Sequence, residues 1–549
     1  MQSFRRFAPF ILCFFLSIGS VSFLSAQDSG SGNGNFYLIG MLILIGALIL
    51  VSAIYILSEN YIKMEEQKAG VSGPSGEKTF FSNLKSLWEP KSPQYTNGAD
   101  VIRLKKGHDI LLNGVAIGPV KKANVQRFSV SPKDFREMSP IPKLSVGEGD
   151  EVQAGDILFF DKKNPQVKYA SPVSGEVVEV RRGAKRSIAE IIILADKEQK
   201  FRKFDPPALD EVSREDLVEF LCESGAWPLI NQRPYDVVAD TSIIPTNVFI
   251  STFDSAPLAP DLNVVVNGKG DFFQKGLDTL NLLTEGAVHL GMDARRDQSP
   301  ATEFIGATNC QKHWFSGKHP VGNVGIQIHH THPINSKDKV WTLGVQEVIT
   351  IGKLMATGVF DASRIVAITG SQVKEGAYYE TVQGASISEL LDGLVVGDNN
   401  RIVDGDPLSG TAKTDQQFLG FTSDQLTVIE EGDQYEMFGW LFPITPRPTI
   451  SRTFPNFLYP NMQFDVTTNT HGEERAFVVT GQYESVLPMD VYPQHLLKSI
   501  LANDYERMEG LGITELTEED LALCEFVCTS KTPVQKILRQ GLDMMREQG

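Results

Sequence analysis

Cysteine is scarce in this chain. Five are spread over 549 residues, at positions 13, 222, 310, 524 and 528. That is too few and too scattered for a disulfide framework, and it suits a reducing compartment. Basic residues are in deficit as well: 51 Lys and Arg against 68 Asp and Glu leave a net charge of −17. So acidic a chain lacks the basic footprint that nucleic acid requires, and it is ill suited to broad docking on anionic lipid. No Gly-x-Ser-x-Gly, His-Glu-x-x-His or phosphate-binding signature occurs, and there is no fixed-period repeat. What remains is ordinary globular material, 42% hydrophobic and 22% charged. At roughly 100–200 residues per domain, this length predicts several domains with real cores.

The N-terminus sets the topology. Arg5 and Arg6 precede an apolar stretch over 7–24, and Ser25-Ala26 then meets Gln27-Asp28. This is the pattern of a signal-peptide-like segment, 1–26, with Leu24 at the −3 position as its one imperfection. A Gly/Ser/Asn linker leads to residues 36–57, which carry no charge. About 20 apolar residues cross a bilayer, so 36–57 is predicted to be a transmembrane helix. Residues 27–35 hold no Lys or Arg, whereas 58–100 hold Lys63, Lys68, Lys78, Lys85 and Lys91. The positive-inside bias therefore places residues 58–549 in the cytoplasm, behind a single-pass anchor. Residues 58–100, broken by Gly and Pro, read as a linker with one short helix near 80–87.

The rest reads as an α+β multidomain protein. Residues 101–205 are all-β, with short Val/Ile runs between glycine corners. The pair "VGEGDEVQAGDIL" and "ASPVSGEVVEV" resembles the biotinyl/lipoyl-like barrel-sandwich fold. Lys162, Lys163 and Lys168 lie where such domains carry a modified lysine, but none has a Met-Lys-Met-like setting. Residues 206–244 read as a helical connector, with Ser213 as N-cap. Residues 245–370 alternate strand-like runs (247–251, 263–266, 364–368) with helical ones (272–283, 345–357), as in a Rossmann-like α/β domain. A β-grasp, SLBB-like unit follows over 371–410 around a helix at 386–391. Then come a β-rich stretch over 411–484 and a C-terminal helical region over 485–549. Thr517-Glu518-Glu519-Asp520 fits a helix-capping pattern there.

The densest polar cluster is the loop from Gly317 to Pro333, holding four of the nine histidines. Gly-rich loops can turn backbone N–H groups toward an anion, but this one lacks a Walker ending and is not GxGxxG. Read as a strand, the run His329-His330-Thr331-His332 puts only His330 and His332 on one face, poor support for a metal. A structural or partner-contacting loop is the default. Cys524 and Cys528 share a face of a predicted helix, but an iron–sulfur cluster normally needs four ligands; two buried small side chains is the better reading.

From about residue 101 onward, seven segments run in the order of one family. They are "RLKKGHDI" (103–110), "SPVSGEVVEVRRGAKRS" (171–187), "DSAPLAPD" (254–261), "HPVGNVGIQIH" (319–329), "VWTLGVQEVITIGKL" (340–354), "GEERAFVVTGQYESVLPMDVYP" (472–493) and "LTEEDLALCEFVC" (516–528). In these the chain resembles the A subunits of the Na(+)-translocating NADH:quinone reductase (Nqr). The resemblance implies a fold related to the NADH-binding flavoprotein subunit of respiratory complex I and to the C subunit of the Rnf complex, with cofactor binding lost. It implies a complex that oxidises NADH, reduces quinone such as ubiquinone and exports Na(+). FAD, FMN, riboflavin and 2Fe-2S would be held by five other subunits, among which the membrane-embedded B subunit is the expected neighbour. No catalytic, cofactor or metal residue is expected in this chain. A quinone- or partner-contacting loop is assigned to Gly317, His319, Pro320, Gly322, Gly325 and His329. The extra N-terminal segment departs from the family, as does "CTSK" at 528–531, where Cys-Pro-Gly-Lys is usual. Outside the complex-subunit reading stand a biotinyl/lipoyl carrier and a nucleotide-binding oxidoreductase.

Overall fold

A computed structural model describes residues 92–549, apart from 137, 435–445, 452–454, 479–480 and 549, together with 41–42, 44–46 and 50. It divides into two units, 1–91 and 92–549. In the first, the described residues are helical, and Leu42, Leu44 and Leu50 are exposed. Most of the predicted span over 36–57 lies outside the described residues, as do the segment 1–26 and the helix near 80–87. Among the described residues no helix is long and apolar enough to cross a membrane.

The second unit opens with β1 (Val101–Arg103) and β2 (Lys121–Lys122). Then come β3 (Arg127–Val130), β4 (Lys143–Leu144), β5 (Glu151–Val152), β6 (Ile157–Phe160), β7 (Lys168–Ala170), β8 (Gly175–Arg182) and β9 (Ile188–Ala195). Strands β3 to β9 form two sheets, in orders β3-β9-β8-β5 and β4-β6-β7. Leu158, Phe159, Val177, Ile191 and Ile193 fill the interior between them. Gly149 (φ 87°) and Gly155 (φ 94°) turn corners that an L side chain would strain. This is the barrel-sandwich architecture that the resemblance of the two segments implies. β1 and β2 leave it, however, to pair with two other sheets.

Helix α1 (Arg214–Glu223) begins where Ser213 Oγ accepts from Asp216 N, 3.1 Å. The connector is not only helical, because β10 (Asn231–Arg233) and β11 (Val237–Val238) extend the next sheet. That sheet also takes β12 (Asn247–Ser251), β13 (Val288–Asp293), β14 (Gln311–Ser316) and β15 (Val340–Leu343), in the order β1-β14-β13-β12-β15-β10-β11. Strands β1 and β12 to β15 run parallel, while β10 and β11 are antiparallel. Between the strands lie α2 (Leu262–Val266), α3 (Gly270–Asn281), α4 (Thr302–Gly306), α5 (Val324–Thr331) and, after β15, α6 (Val345–Thr357). Residues 263–266 are therefore helix, not strand. Asp261 Oδ1 accepts from Asn263 N at 3.0 Å, and this cap with the burial of Val265 and Val266 overrides the β-preference of three valines. Helices α3 and α6 cross with backbones nearly touching. A Cβ on Gly276 would collide with the Val348 carbonyl, and one on Gly352 with the Phe272 carbonyl.

The third sheet has the order β19-β18-β20-β16-β17-β2, from β16 (Ser363–Thr369), β17 (Ala377–Val382), β18 (Asn400–Asp404), β19 (Thr411–Lys413) and β20 (Gln425–Glu430). Helix α7 (Ile387–Leu390) sits inside it in sequence. The β-grasp unit thus takes in strands on both sides of 371–410. Among the described residues, strand content ends at β20. Beyond it they make only isolated bridges, Leu112 to Phe464 and Glu430 to Thr467. Pro446, Pro448, Pro455 and Pro460 cannot donate to a ladder, so among the described residues the β-rich reading of 411–484 does not extend past Glu430.

The C-terminal region is helical: α8 (Tyr483–Val486), α9 (Pro493–Leu501), α10 (Tyr505–Gly510), α11 (Glu518–Val527) and α12 (Val534–Gln548). Its apolar core also takes Ile110, Leu112, Ile326 and Phe464. Thr517 and Asp520 form the expected capping box on α11.

Candidate functional site

The glycine- and histidine-rich loop joins β14 to α5. Residues 324–331 are helix, so the strand geometry expected for its histidines does not hold. Apolar Val324, Ile326 and Ile328 mimic a strand alternation, but Gly325, Ile326, Gln327 and Ile328 are all buried, consecutive positions enclosed by neighbours on every side.

Its residues face three ways. His319 is buried, with Nδ1 3.1 Å from Ser255 Oγ. That hydroxyl also accepts from Gly322 N at 2.8 Å. The His319 backbone is held by residues 108 and 109: its N–H donates to Asp109 Oδ1 (2.9 Å), and its carbonyl accepts from His108 N (2.9 Å). Gly317 packs on Leu104, and Pro320 is buried. Burial, followed by nearby Arg295, pushes the His319 imidazole down to about 4. Its Nε2 is buried and meets no partner among the described residues. Val321, two residues on, belongs to an apolar cluster with Phe253 and Phe315. The Ser–His contact is half of a nucleophile–base pair. Asp109 holds the backbone, not the ring, so no carboxylate orients the imidazole for acid–base work.

Gly325 faces the C-terminal region. A Cβ there would collide with the Asp520 carboxylate and the Arg233 guanidinium. Asn323 does not cap α5 with its side chain; it donates instead to the Glu519 carbonyl, 3.0 Å away. Arg233 on β10 binds Asp520 (3.2 Å), Thr517 (3.1 Å) and Glu519 (3.0 Å). The N-terminus of α5, where a phosphate could be received, is thus filled by the chain's own carboxylate. The start of α6 is treated likewise. The Glu347 carboxylate folds back over Gly344, and its partner Arg364 lies 2.7 Å away.

His329 and His330 also bind the C-terminal region. The Asp490 N–H donates to His329 Nε2 (3.1 Å), so Nδ1 carries the proton it gives to Glu515, 2.7 Å away. His330 Nε2 donates to the Pro488 carbonyl, 2.7 Å. His332 turns elsewhere, with its ring 4.7 Å from that of His289 on β13. His289 in turn lies 2.9 Å from His313 Nε2 on β14. Among the described residues no group of three or more His, Cys, Asp or Glu is placed to hold a metal ion.

The six loop residues therefore do not converge on one cavity. Two cavities lie elsewhere. One of about 320 Å³ is lined by Arg127, Arg181, Ser386, Ser388 and Phe418, between the barrel-sandwich and β-grasp units. The other, about 170 Å³, is lined by Asp134, Arg136, Asn231, Asp236 and Phe421. Arg136 beside it pairs with Asp236 and with Glu518 (3.1 Å). Cys524 and Cys528 are both buried, and Tyr483 Oη donates to Cys528 Sγ at 2.9 Å. Sequence reasoning missed Ser255, Arg233, Glu515 and Asp520 as partners of the loop. They lie tens to hundreds of residues away from it, with no spacing to reveal them.

Comparison with known proteins agrees with this architecture. Residues 102–196 match the NqrA N-terminal barrel-sandwich hybrid domain, 212–360 the NqrA second alpha/beta domain, and 365–415 the NQRA C-terminal domain. The A subunit of the Na(+)-translocating NADH-quinone reductase from Shewanella frigidimarina is 37% identical over 456 residues, 82% of this chain and 100% of that protein. Its counterparts from Neisseria meningitidis serogroup A and Vibrio atlanticus are each 35% identical, again over 82% of this chain and 100% of theirs. Among solved structures, an NAD+-reducing [NiFe]-hydrogenase aligns with 10% identity over 42% of this chain and 52% of that one; its TM-score of 0.27 is too low to bear on the fold. The chain belongs to the family of Na(+)-translocating NADH-quinone reductase A subunits.

Proposed function

We propose that this chain is a bracing and docking component of a complex that oxidises NADH, reduces quinone and exports Na(+), and that it holds no cofactor of its own. The observation that supports this is the occupation of two helix N-termini of the α/β domain, those of α5 and α6, by internal carboxylates. Asp520 sits against Gly325 and Glu347 against Gly344, and each is paired with a buried arginine. A pyrophosphate or flavin phosphate would have to displace a buried ion pair at either place. The glycines of the loop serve close packing between domains instead of a ligand.

In this reading the apolar run 36–57 anchors the chain in the inner membrane, with 58–549 in the cytoplasm beside the membrane-embedded B subunit and four further subunits. The flavins and the 2Fe-2S centre belong to those partners. A linker that holds the fold near the membrane raises its effective concentration there, so modest contacts suffice for docking. The test is purification of the complex from its native membrane in mild detergent, followed by dissociation. Flavin and iron–sulfur absorbance stays with the other subunits; a coloured separated chain would overturn the reading.

A second reading, quinone contact, is favoured by His319. Its Nε2 is buried without a partner among the described residues, Val321 of the same loop packs with Phe253 and Phe315, and a site for a lipophilic carbonyl compound needs an apolar wall with one polar tip. His319→Ala in the intact complex raises the KM for quinone; an unchanged KM removes this reading. His329 is bound to Glu515 and Asp490, so its replacement tests domain packing.

A further inference from the structure

The chain is acidic overall, yet one exposed strip departs from that in both charge and polarity. Lys105 and Lys106 stand at one end and Lys121 and Lys122 at the other, all exposed. Between them Leu111 (39%), Val115 (44%), Ile117 (63%) and Val120 (37%) are exposed, whereas Ile110, Leu112 and Ala116 are buried. The buried set packs on the core, which turns the other set outward. Outward positions on an ordinary surface are polar; here they are aliphatic.

The strip is widened by its neighbours. Phe464 N donates to the Leu111 carbonyl (3.0 Å), and one turn earlier Met462 N donates to Tyr459 O (3.1 Å). Tyr459 and Leu458, five and six residues before Phe464 in the chain, are 64% and 62% exposed. The nearby acids are engaged: Asp109 with His319 N, Asp465 with Asn113, and Glu375 with Lys121 at 3.7 Å. Strand β2 is the edge of its sheet, so Lys121 and Lys122 face no further strand.

We propose that this strip, residues 105–122 with Leu458 and Tyr459, rests on the anionic headgroup layer of a lipid bilayer. Aliphatic side chains reach the acyl boundary while lysines meet negative headgroups, and a tyrosine is at home at that depth. The remaining surface, bearing the bulk of the −17 charge, is repelled by the same headgroups, so the molecule approaches with this face. A protein partner fits less well, because lysine is depleted from the cores of protein interfaces. The inference uses the proposed function only in placing the chain beside a membrane. It is independent of whether a cofactor or quinone is bound.

The experiment is hydrogen–deuterium exchange on the full chain, reconstituted in phosphatidylcholine alone or with phosphatidylglycerol added. Amides over 111–122 are protected in the phosphatidylglycerol membranes and released by high salt. Lys121→Gln and Lys122→Gln each lower that protection roughly fivefold. Ile117→Ser lowers it as well, and β20 exchange stays unchanged in all variants as the folding control. Equal protection in phosphatidylcholine alone would show that anionic headgroups are not what the strip meets, and equal protection in the detergent-solubilised complex would assign it to a protein partner; either overturns the proposal. Absence of protection in every setting would overturn it too. If the chain instead proved to be a cofactor-binding oxidoreductase, its spectrum would change while the lipid dependence of 111–122 remained.

Discussion

Removing the Asp520 carboxylate should loosen the whole C-terminal region from the α/β domain. Arg233 is 3% exposed and Asp520 fully buried, with 3.2 Å between them. Asp520 Oδ2 also accepts from Thr517 N (2.9 Å) and Thr517 Oγ1 (3.0 Å), closing the capping box of α11. In Asp520→Ala the guanidinium stays buried with one carboxylate fewer, which costs about 3–5 kcal/mol. Loss of the cap adds about 1 kcal/mol. Glu519 remains 3.0 Å from Arg233, but its side chain is 43% exposed, so solvent screens that contact and it offsets little. The net loss is about 4–6 kcal/mol. Hydrogen exchange of the α11 and α12 amides reads this directly, speeding up on the order of 10³–10⁴-fold. In the double variant Arg233→Met with Asp520→Leu both charges are gone, and exchange returns to within about tenfold of the parent. A single variant that leaves α11 exchange unchanged would refute the interdomain role of this pair. So would a double variant as loose as the single one.

Three further outcomes can be measured. His319 has its folded pKa depressed to about 4, so below the unfolded value near 6.5 the unfolded chain binds the extra proton. Its contribution is full above about pH 6.5 and is lost as pH falls toward 4, about 2 kcal/mol of it by pH 5; thermal melts across pH 5–7.5 show this slope, and His319→Gln flattens it. Gly276→Ala forces a methyl into the Val348 carbonyl at the α3–α6 crossing, costing about 3 kcal/mol and lowering the melting temperature by roughly 10 °C, visible in near-ultraviolet circular dichroism. Peptide mapping by mass finds Lys162, Lys163 and Lys168 unmodified, and an added biotinyl or lipoyl mass on any of them would restore the carrier reading. Lys168 Nζ already donates to the Pro165 carbonyl at 2.6 Å and lies over the Phe160 ring.

Much of the architecture was legible because its signals are local. Glycine corners with short Val/Ile runs marked 101–205 as all-β, with the barrel-sandwich implied by resemblance, and the helical stretch read at 345–357 coincides with α6. Ser213 and Thr517 are caps whose partners lie three residues away. The failures have a common cause. Residues 263–266 and 324–331 carry strand-like apolar patterns, but they are helix, with Val265, Val266 and 325–328 buried by tertiary packing. β1 and β2 are too short to declare which sheet they join, and they join two different ones.

The amino-acid sequence by itself determined the acidic character, the scarcity of thiols, the apolar run at 36–57, the order of the domains and the family to which they belong. All but the family rest on composition or local patterning; the family rests on the resemblance of seven segments. Only the tertiary structure decided what the histidine loop touches. Long-range contacts brought Ser255 to His319, Glu515 to His329, and Asp520 with Arg233 to Gly325. The same folding turned Leu111, Val115, Ile117 and Val120 outward. Which face of an irregular segment meets solvent depends on what packs beneath it, and no periodicity in the segment records that.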